Sequence, residues 1–377
     1  MKILAIDISG KVYKYDELLY RCIDKQIATN DAFTFACPYF SMQKNAKPLH
    51  LCSFVPAKYR SSSLLWKRML KMLEGIWNYL LVLRYIKSEK IDVLHLQWLP
   101  FLEVCNWEKL WLKYIRKHNP SLRIILTTHN IYPHNSTDVQ KHAYKRRLKA
   151  IVPLIDRFIV HNNTSKQAII HEFGICSDHI SIVHHGIFIP TNLPPRKRDD
   201  KKIRILLFGQ QSLYKGTDIL IKAIELLPHN ILSNIEVHIE GTTDSQLYEQ
   251  FEKQAKSLSI VWNNQYIDDD SLNQELQDAD IIVYPYRAIA QSGALLLGLY
   301  FKKPVIISDL PAFIETLGPN YPKDLICETG NPQSLADAIM WYANHASQLH
   351  FLKDYIQKII ETNSWEEAAQ KTIIIYK

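Results

Sequence analysis

The sequence has no Cys-x-x-Cys pair and no other paired cysteine spacing; its six cysteines stand at 22, 37, 52, 105, 176 and 327. That pattern excludes a zinc knuckle and a disulfide framework and is read as reduced thiols in a cytoplasm. No apolar run is long enough for a membrane span or a signal sequence, and the amino-terminal stretch from Met1 to Asp7 has only strand length. The chain is therefore expected to face the cytosol. No Gly-x-Gly-x-x-Gly follows the first strand of either half, which counts against a nicotinamide dehydrogenase. Lysine and arginine (45) exceed aspartate and glutamate (38), but no recognised nucleic-acid module accompanies the excess, so nucleic acid is not an expected partner. Nor is there a disordered tract, since 47% hydrophobic and 22% charged residues make a globular composition. Two glycosylation sequons, at Asn135 and Asn162, carry no weight without secretion.

What is present is a rhythm. A length of 377 residues favours two domains. Short buried-strand runs at 2–6, 92–96, 123–128 and 157–160 alternate with helical patterns, as in a parallel sheet. The rhythm restarts at 204–208 and continues through 236–240, 260–262, 280–284 and 304–308. Between the halves a proline-interrupted charged stretch without periodicity reads as a linker. The expected division is 1–190, a linker 191–202, and 203–361, with an amphipathic helix at 362–377 docking back onto the first domain. Residues 56–90 hold eight basic residues against two acidic ones, on a helix predicted from Leu64 to Ile86 that carries Trp66, Leu70, Leu73, Trp77, Leu80 and Leu81. A core-facing helix is the ordinary reading; the sharper one is peripheral contact of residues 58–90 with an anionic membrane.

Three segments carry candidate chemistry. Gly209 ends a strand, Gln210, Gln211 and Ser212 form a loop, and Lys215-Gly216 opens a helix, so that helix amides and a lysine converge where open α/β sheets bind anions. Past Tyr284, Arg287 and the turn Gln291-Ser292-Gly293 precede an apolar helix, with Ser292 placed to cap it and Gly293 to allow close backbone approach. Each has a plain alternative: a surface lysine in the first, ordinary capping in the second. In the first half, His129, Asn130 and His134 follow a buried strand, and Ser9 and Gly10 follow another; these are the cleft-side candidates, with His129 suited to hydrogen-bond a sugar hydroxyl or act as acid or base. Asp268-Asp269-Asp270 opens a helix and is read as its cap, and His184-His185 lacks a third ligand, so no metal site is assigned.

Taken in order, Phe208-Gly209 to Lys215-Gly216, His129, His185-Gly186, Pro285-Tyr286 to Gly293, Lys303 to Ile306 and Ser364-Trp365-Glu366 resemble the group 1 glycosyltransferases of GT-B fold, in a branch with a Gln-Ser-Gly turn. The resemblance implies two Rossmann-like doubly wound parallel-sheet domains facing a cleft, with a C-terminal helix crossing back. The donor, a UDP- or GDP-sugar, would sit in the second domain with Lys215 on its phosphates and Tyr266-Ile267 beside the nucleobase. The acceptor, a saccharide or lipid-linked saccharide, would sit in the first, with His129 facing the transferred sugar and no obligatory metal or other cofactor. Two departures stand out. The loop lacks the arginine that usually accompanies the lysine. The usual glutamate pair is also gone, Ile289 and Leu297 standing at the corresponding positions, and no acid lies anywhere between Arg287 and Pro304.

Arg287 and the amides of Ser292 and Gly293 are the expected replacements for the missing charge. Without the acids the stereochemical course stays open, with retention the first expectation. The leading reading is sugar transfer in bacterial-type surface polysaccharide or glycan assembly, at the inner face of the cell membrane. A scaffold or binding protein that kept the fold and lost the chemistry is the alternative; a nucleotide-sugar epimerase, which needs acids in its cleft, is a third.

Overall fold

A computed structural model of the chain describes residues 1–54, 65–133, 136–187, 202–289 and 292–377. The chain divides into two units, Met1–Gly186 with Trp365–Lys377, and Ile187–Ser364. Of the linker expected at 191–202, residues 191–201 lie outside the described residues.

Unit 1 runs β1 (Lys2–Asp7), α1 (Tyr13–Gln26), β2 (Ala32–Ala36), β3 (Ser41–Lys44), α2 (Leu65–Glu89), β4 (Val93–Trp98), α3 (Trp107–His118), β5 (Arg123–Thr127), α4 (Asp138–Ile151), β6 (Arg157–Val160), α5 (Asn163–Phe173) and β7 (Ile180–Ile182). The sheet order is β3-β2-β1-β4-β5-β6-β7, parallel except for β3. The inner strands are short runs of Ile, Leu, Val and Phe buried on both faces, as helices on both sides of a parallel sheet require. The antiparallel edge β3, Ser-Met-Gln-Lys, is half-exposed and polar, which protects an open edge.

Unit 2 runs β8 (Ile203–Phe208), α6 (Thr217–Glu225), α7 (His229–Leu232), β9 (Ile235–Glu240), α8 (Ser245–Ser257), β10 (Val261–Asn263), α9 (Asp269–Asp278), β11 (Ile281–Tyr284), α10 (Gly293–Tyr300), β12 (Val305–Ser308), α11 (Pro311–Leu317), β13 (Ile326–Cys327), α12 (Pro332–His345) and α13 (Phe351–Glu361). Its parallel sheet has the order β10-β9-β8-β11-β12-β13.

In both sheets the order reverses beside the first strand, between β1 and β4 and between β8 and β11. At such a switch point the two flanking loops leave in opposite directions and open a crevice at the strands' carboxyl ends. The last helix, α14 (Trp365–Tyr376), completes unit 1 by packing on α1. Gln26 donates to the Glu366 carbonyl at 3.0 Å, and Arg123 donates to the carbonyls of Ile375, Tyr376 and Lys377, acceptors that a helix end leaves without partners of its own. Cys22, Cys37, Cys52, Cys105, Cys176 and Cys327 are all free.

Candidate functional site

In unit 2 the crevice is built around one lysine. After β8 the chain turns at Gly209, makes a single 3-10 turn over Leu213–Lys215 and enters α6 through Gly216. Lys215 is 7% exposed, and its Nζ donates to the Phe208 carbonyl at 3.1 Å while lying 5.4 Å over the Tyr286 ring. Among the described residues no carboxylate pairs with it, and burial lowers the ammonium to about 8. Two glycines make this placement possible. A Cβ on Gly209, at φ +92°, would lie 2.7 Å from Lys215 Nζ, and one on Gly216, at φ +73°, would lie 1.9 Å from the Pro285 carbonyl oxygen. Side chains at either position would push the lysine, or the start of α6, away from the loop after β11.

The other loop residues divide. Gln211 is buried and holds the loop itself, donating to the Gly209 carbonyl at 2.7 Å and accepting from Thr217 Oγ1 at 2.8 Å. The expectation that it faces a donor is corrected: its amide is already engaged on both sides. Gln210 is exposed, and Ser212 Oγ is buried without a hydrogen-bond partner among the described residues.

Arg287 is also corrected. Its guanidinium forms a bidentate pair with Asp218, at 2.8 and 2.7 Å, and donates to the Leu213 carbonyl at 2.5 Å, while its backbone N–H donates to Tyr214. It clamps the Lys215 loop to the segment after β11, and Asp218 neutralises the charge a phosphate would have needed. Sequence reasoning missed Asp218 because the two residues are 69 positions apart. Ser292 caps α10, its Oγ accepting from the Leu295 N–H at 3.0 Å, and Gly293 is the first residue of that helix. Gln291 lies outside the described residues. Tyr266 is 78% exposed and Ile267 half-buried in the segment before α9. Asp268 caps that helix through Ser271 N at 2.9 Å, so the acidic triplet serves a helix start.

In unit 1 the loop after β5 carries His129 into a cluster of rings. Tyr15 meets it edge-on with centroids 4.8 Å apart, and Tyr15 also contacts His161, His185 and Trp365. Both nitrogens of His129 are engaged: Nδ1 lies 3.0 Å from His161 Nε2 and Nε2 lies 3.1 Å from Gln97 Oε1. The Val183 carbonyl, 3.0 Å from His161 Nδ1, requires a proton there. Burial lowers His161 to about 4, so the ring is neutral at pH 7 and its Nε2 accepts. His129 then donates from Nδ1. Burial, reinforced by His161, His185 and His95, holds His129 well below the ordinary imidazole range. The expectation of a free acid or base is therefore corrected to a neutral, hydrogen-bonded, half-buried ring at the crevice.

Asn130 follows it half-buried, and His134 lies outside the described residues. Ser9 faces inward, its Oγ donating to Asp7 Oδ1 at 2.9 Å and accepting from Lys11 N at 3.2 Å; the hydroxyl serves its own turn and does not present itself to a ligand. Gly10 stands against the Tyr39 ring. His184 Nδ1 donates to the His161 carbonyl at 3.1 Å and His185 Nδ1 to the Gly186 carbonyl at 2.6 Å, as backbone ties.

Two units, each built on a doubly wound parallel sheet, are the architecture of the GT-B fold. The family model for "Glycosyl transferases group 1" matches residues 189–371, and that for "Glycosyltransferase Family 4" matches residues 40–189. Over residues 189–371 the chain is similar to the group 1 glycosyltransferases, and the solved structures that share its fold support that family. It is 24% identical over 250 residues to a GDP-mannose:glycolipid 4-beta-D-mannosyltransferase from Xanthomonas campestris pv. campestris, a match covering 62% of this chain and 66% of that relative's length. Anabaena HepE in complex with UDP shares the fold with a TM-score of 0.67 at 16% identity, covering 100% of this chain and 99% of that one. A glycosyltransferase from Rickettsia africae ESF-5 does so with a TM-score of 0.69 at 17% identity, covering 100% and 97%.

Proposed function

We propose that the chain transfers a sugar from a nucleoside-diphosphate sugar to a saccharide or lipid-linked saccharide in surface glycan assembly. The carrying observation is Lys215, a buried ammonium without a carboxylate partner among the described residues, at the carboxyl end of β8. A cation in that condition is stabilised by an arriving anion, and the α10 amides capped by Ser292 add a helix N-terminus to the same switch point. UDP bound to HepE and the GDP-mannose named for the Xanthomonas relative support a nucleotide sugar as donor. That relative's glycolipid supports a lipid-linked acceptor.

With Arg287 neutralised and no acid between Arg287 and Pro304, Lys215 and the α10 amides stabilise the departing diphosphate, and its own leaving ability drives the step. His129 positions the transferred sugar and is not the base. Donor binding needs no metal in this reading.

The test is a thermal-shift screen of UDP-, GDP- and dTDP-sugars followed by hydrolysis and transfer assays. One nucleotide class is expected to stabilise the protein, and Lys215→Ala to remove that stabilisation. Stabilisation that survives Lys215→Ala rejects this location. The missing acids favour a second reading, a binding or scaffold protein, and nucleotide-sugar binding without turnover on any saccharide or glycolipid acceptor selects it.

A further inference from the structure

A cavity of about 490 Å³ lies in unit 2 at the end of the sheet away from Lys215. Its walls are the amino ends of β8, β11 and β12 and the stretch that joins α12 to α13. The six residues of β8 set it about 20 Å from the crevice at that strand's carboxyl end.

Its charge is one-sided. Lys202, Lys302, Lys303, His350 and Lys353 line it, with Asp280 the one acid among the described residues that do so. Asp280 is already engaged, its Oδ2 accepting from the Arg204 N–H at 2.8 Å and its carbonyl from the Tyr342 hydroxyl at 2.9 Å. Lys303 is engaged too, donating to the Gln277 carbonyl at 2.7 Å, where a cation suits the end of α9. Lys302, His350 and Lys353 differ: the side chain of none of them makes a hydrogen bond or ion pair with a described residue.

Lys353 also stands against its own helix. It is the third residue of α13, at the positive end of the dipole, and the N-cap His350 brings no side-chain acceptor. The acid of that first turn, Asp354, does not line the cavity. Lys302 comes from another element, two residues past the end of α10. Much of the remaining lining is apolar, from Pro304, Ala346 and Leu349.

A cleft lined by one sign of charge with low-dielectric walls concentrates counter-ions. Lysines serve phosphate oxygens as point charges, and the volume falls in the range of small-molecule pockets, about 300–1,000 Å³. We propose that this cavity binds a phosphate-bearing small molecule, with Lys302 and Lys353 on the phosphate and the body of the ligand on the apolar lining. The site shares no residue with the donor crevice and does not depend on the reading of Lys215.

The full-length protein carrying Lys215→Ala, which removes the donor cation, is titrated calorimetrically with inorganic pyrophosphate. One equivalent is expected to bind, more weakly as salt rises. Adding Lys302→Gln and Lys353→Gln, both at exposed positions, should leave the far-ultraviolet circular dichroism intact and lower the affinity tenfold or more. Absence of pyrophosphate binding by the Lys215→Ala protein overturns the proposal, as does an affinity that the two added substitutions leave unchanged. Glucose 1-phosphate and a short-chain phosphatidic acid then serve as competitors. Displacement by the first makes the ligand a free phosphate ester, displacement by the second a lipid headgroup, and displacement by neither overturns the proposal as well.

Discussion

Lys215 is charged against its surroundings. Burial holds its ammonium at about 8 instead of 10.5, which costs the folded state about 3 kcal/mol at neutral pH. Between those two values the unfolded chain binds the extra proton, so this residue makes stability rise with pH across that interval, and its penalty is fully present below it. Lys215→Met should therefore raise the melting temperature of the ligand-free protein by a few degrees while abolishing stabilisation by the nucleotide, measured by calorimetry with and without UDP or GDP. Donor KM should increase as pH passes upward through the lysine's lowered value; a flat profile there would remove Lys215 from the phosphates. His129→Ala is expected to lower kcat roughly tenfold or more with donor KM little changed, because a ring with both nitrogens engaged positions the sugar without binding the nucleotide. Equal losses in kcat and donor affinity would make it structural. The caps at Ser292 and Asp268 were legible in the sequence because each acts on the helix it opens. Arg287 was misread because its partner is distant in sequence, and Gln211 and Ser9 because a polar residue after a strand serves its own loop as readily as a ligand.

Along α2 a stripe of apolar side chains is left in water. Tyr79, Val82 and Ile86 enter the core, while Trp66, Met69, Leu73, Trp77 and Leu80 follow one another three or four positions apart and are 40–59% exposed. Lys67 and Lys71 share the helix, and no helix among the described residues is long and apolar enough to cross a membrane. An amphipathic stripe of this kind suits insertion at the headgroup level of an anionic bilayer. The wild type should sediment with vesicles containing phosphatidylglycerol, more weakly at high salt, and Trp66→Ala/Trp77→Ala should remain in solution. Equal sedimentation by the double variant would retire the membrane face. The helix was visible from its composition, but which of its sides was buried depended on the sheet beneath it. The strands at β1, β4, β5, β6, β8, β9, β10, β11 and β12 were legible as strand runs. The pattern did not single out β2, nor β3, β7 and β13; the last three are sheet edges, and short edge strands draw their order from a neighbour and carry little periodicity of their own.

At the scale of the molecule, each unit has its own core, and unit 1 owns a helix from the far end of the chain. Trp365 is 4% exposed and Tyr376 fully buried. Trp365→Ala should remove about 3–5 kcal/mol from unit 1, seen as a lower first transition in calorimetry with the transition of unit 2 unmoved. A buried acid adds a pH signature to the same unit. Burial raises Glu108 from 4.5 to about 8, so the folded state holds its proton longer and unit 1 loses stability as pH climbs between those values. Glu108→Gln should flatten that slope in thermal melts recorded across the range.

The return of α14 also fixes an order of events on the ribosome. Unit 2 is contiguous and is synthesised entire before Trp365 emerges, whereas unit 1, though begun first, waits with the flank of α1 uncovered until the last helix arrives. The usual amino-to-carboxyl sequence of domain folding is thereby reversed in its final step: the second half can finish first, and the first half is sealed last. A nascent chain stalled before residue 365 would present that bare flank to chaperones, and synthesis speed through the second half sets how long it stays open.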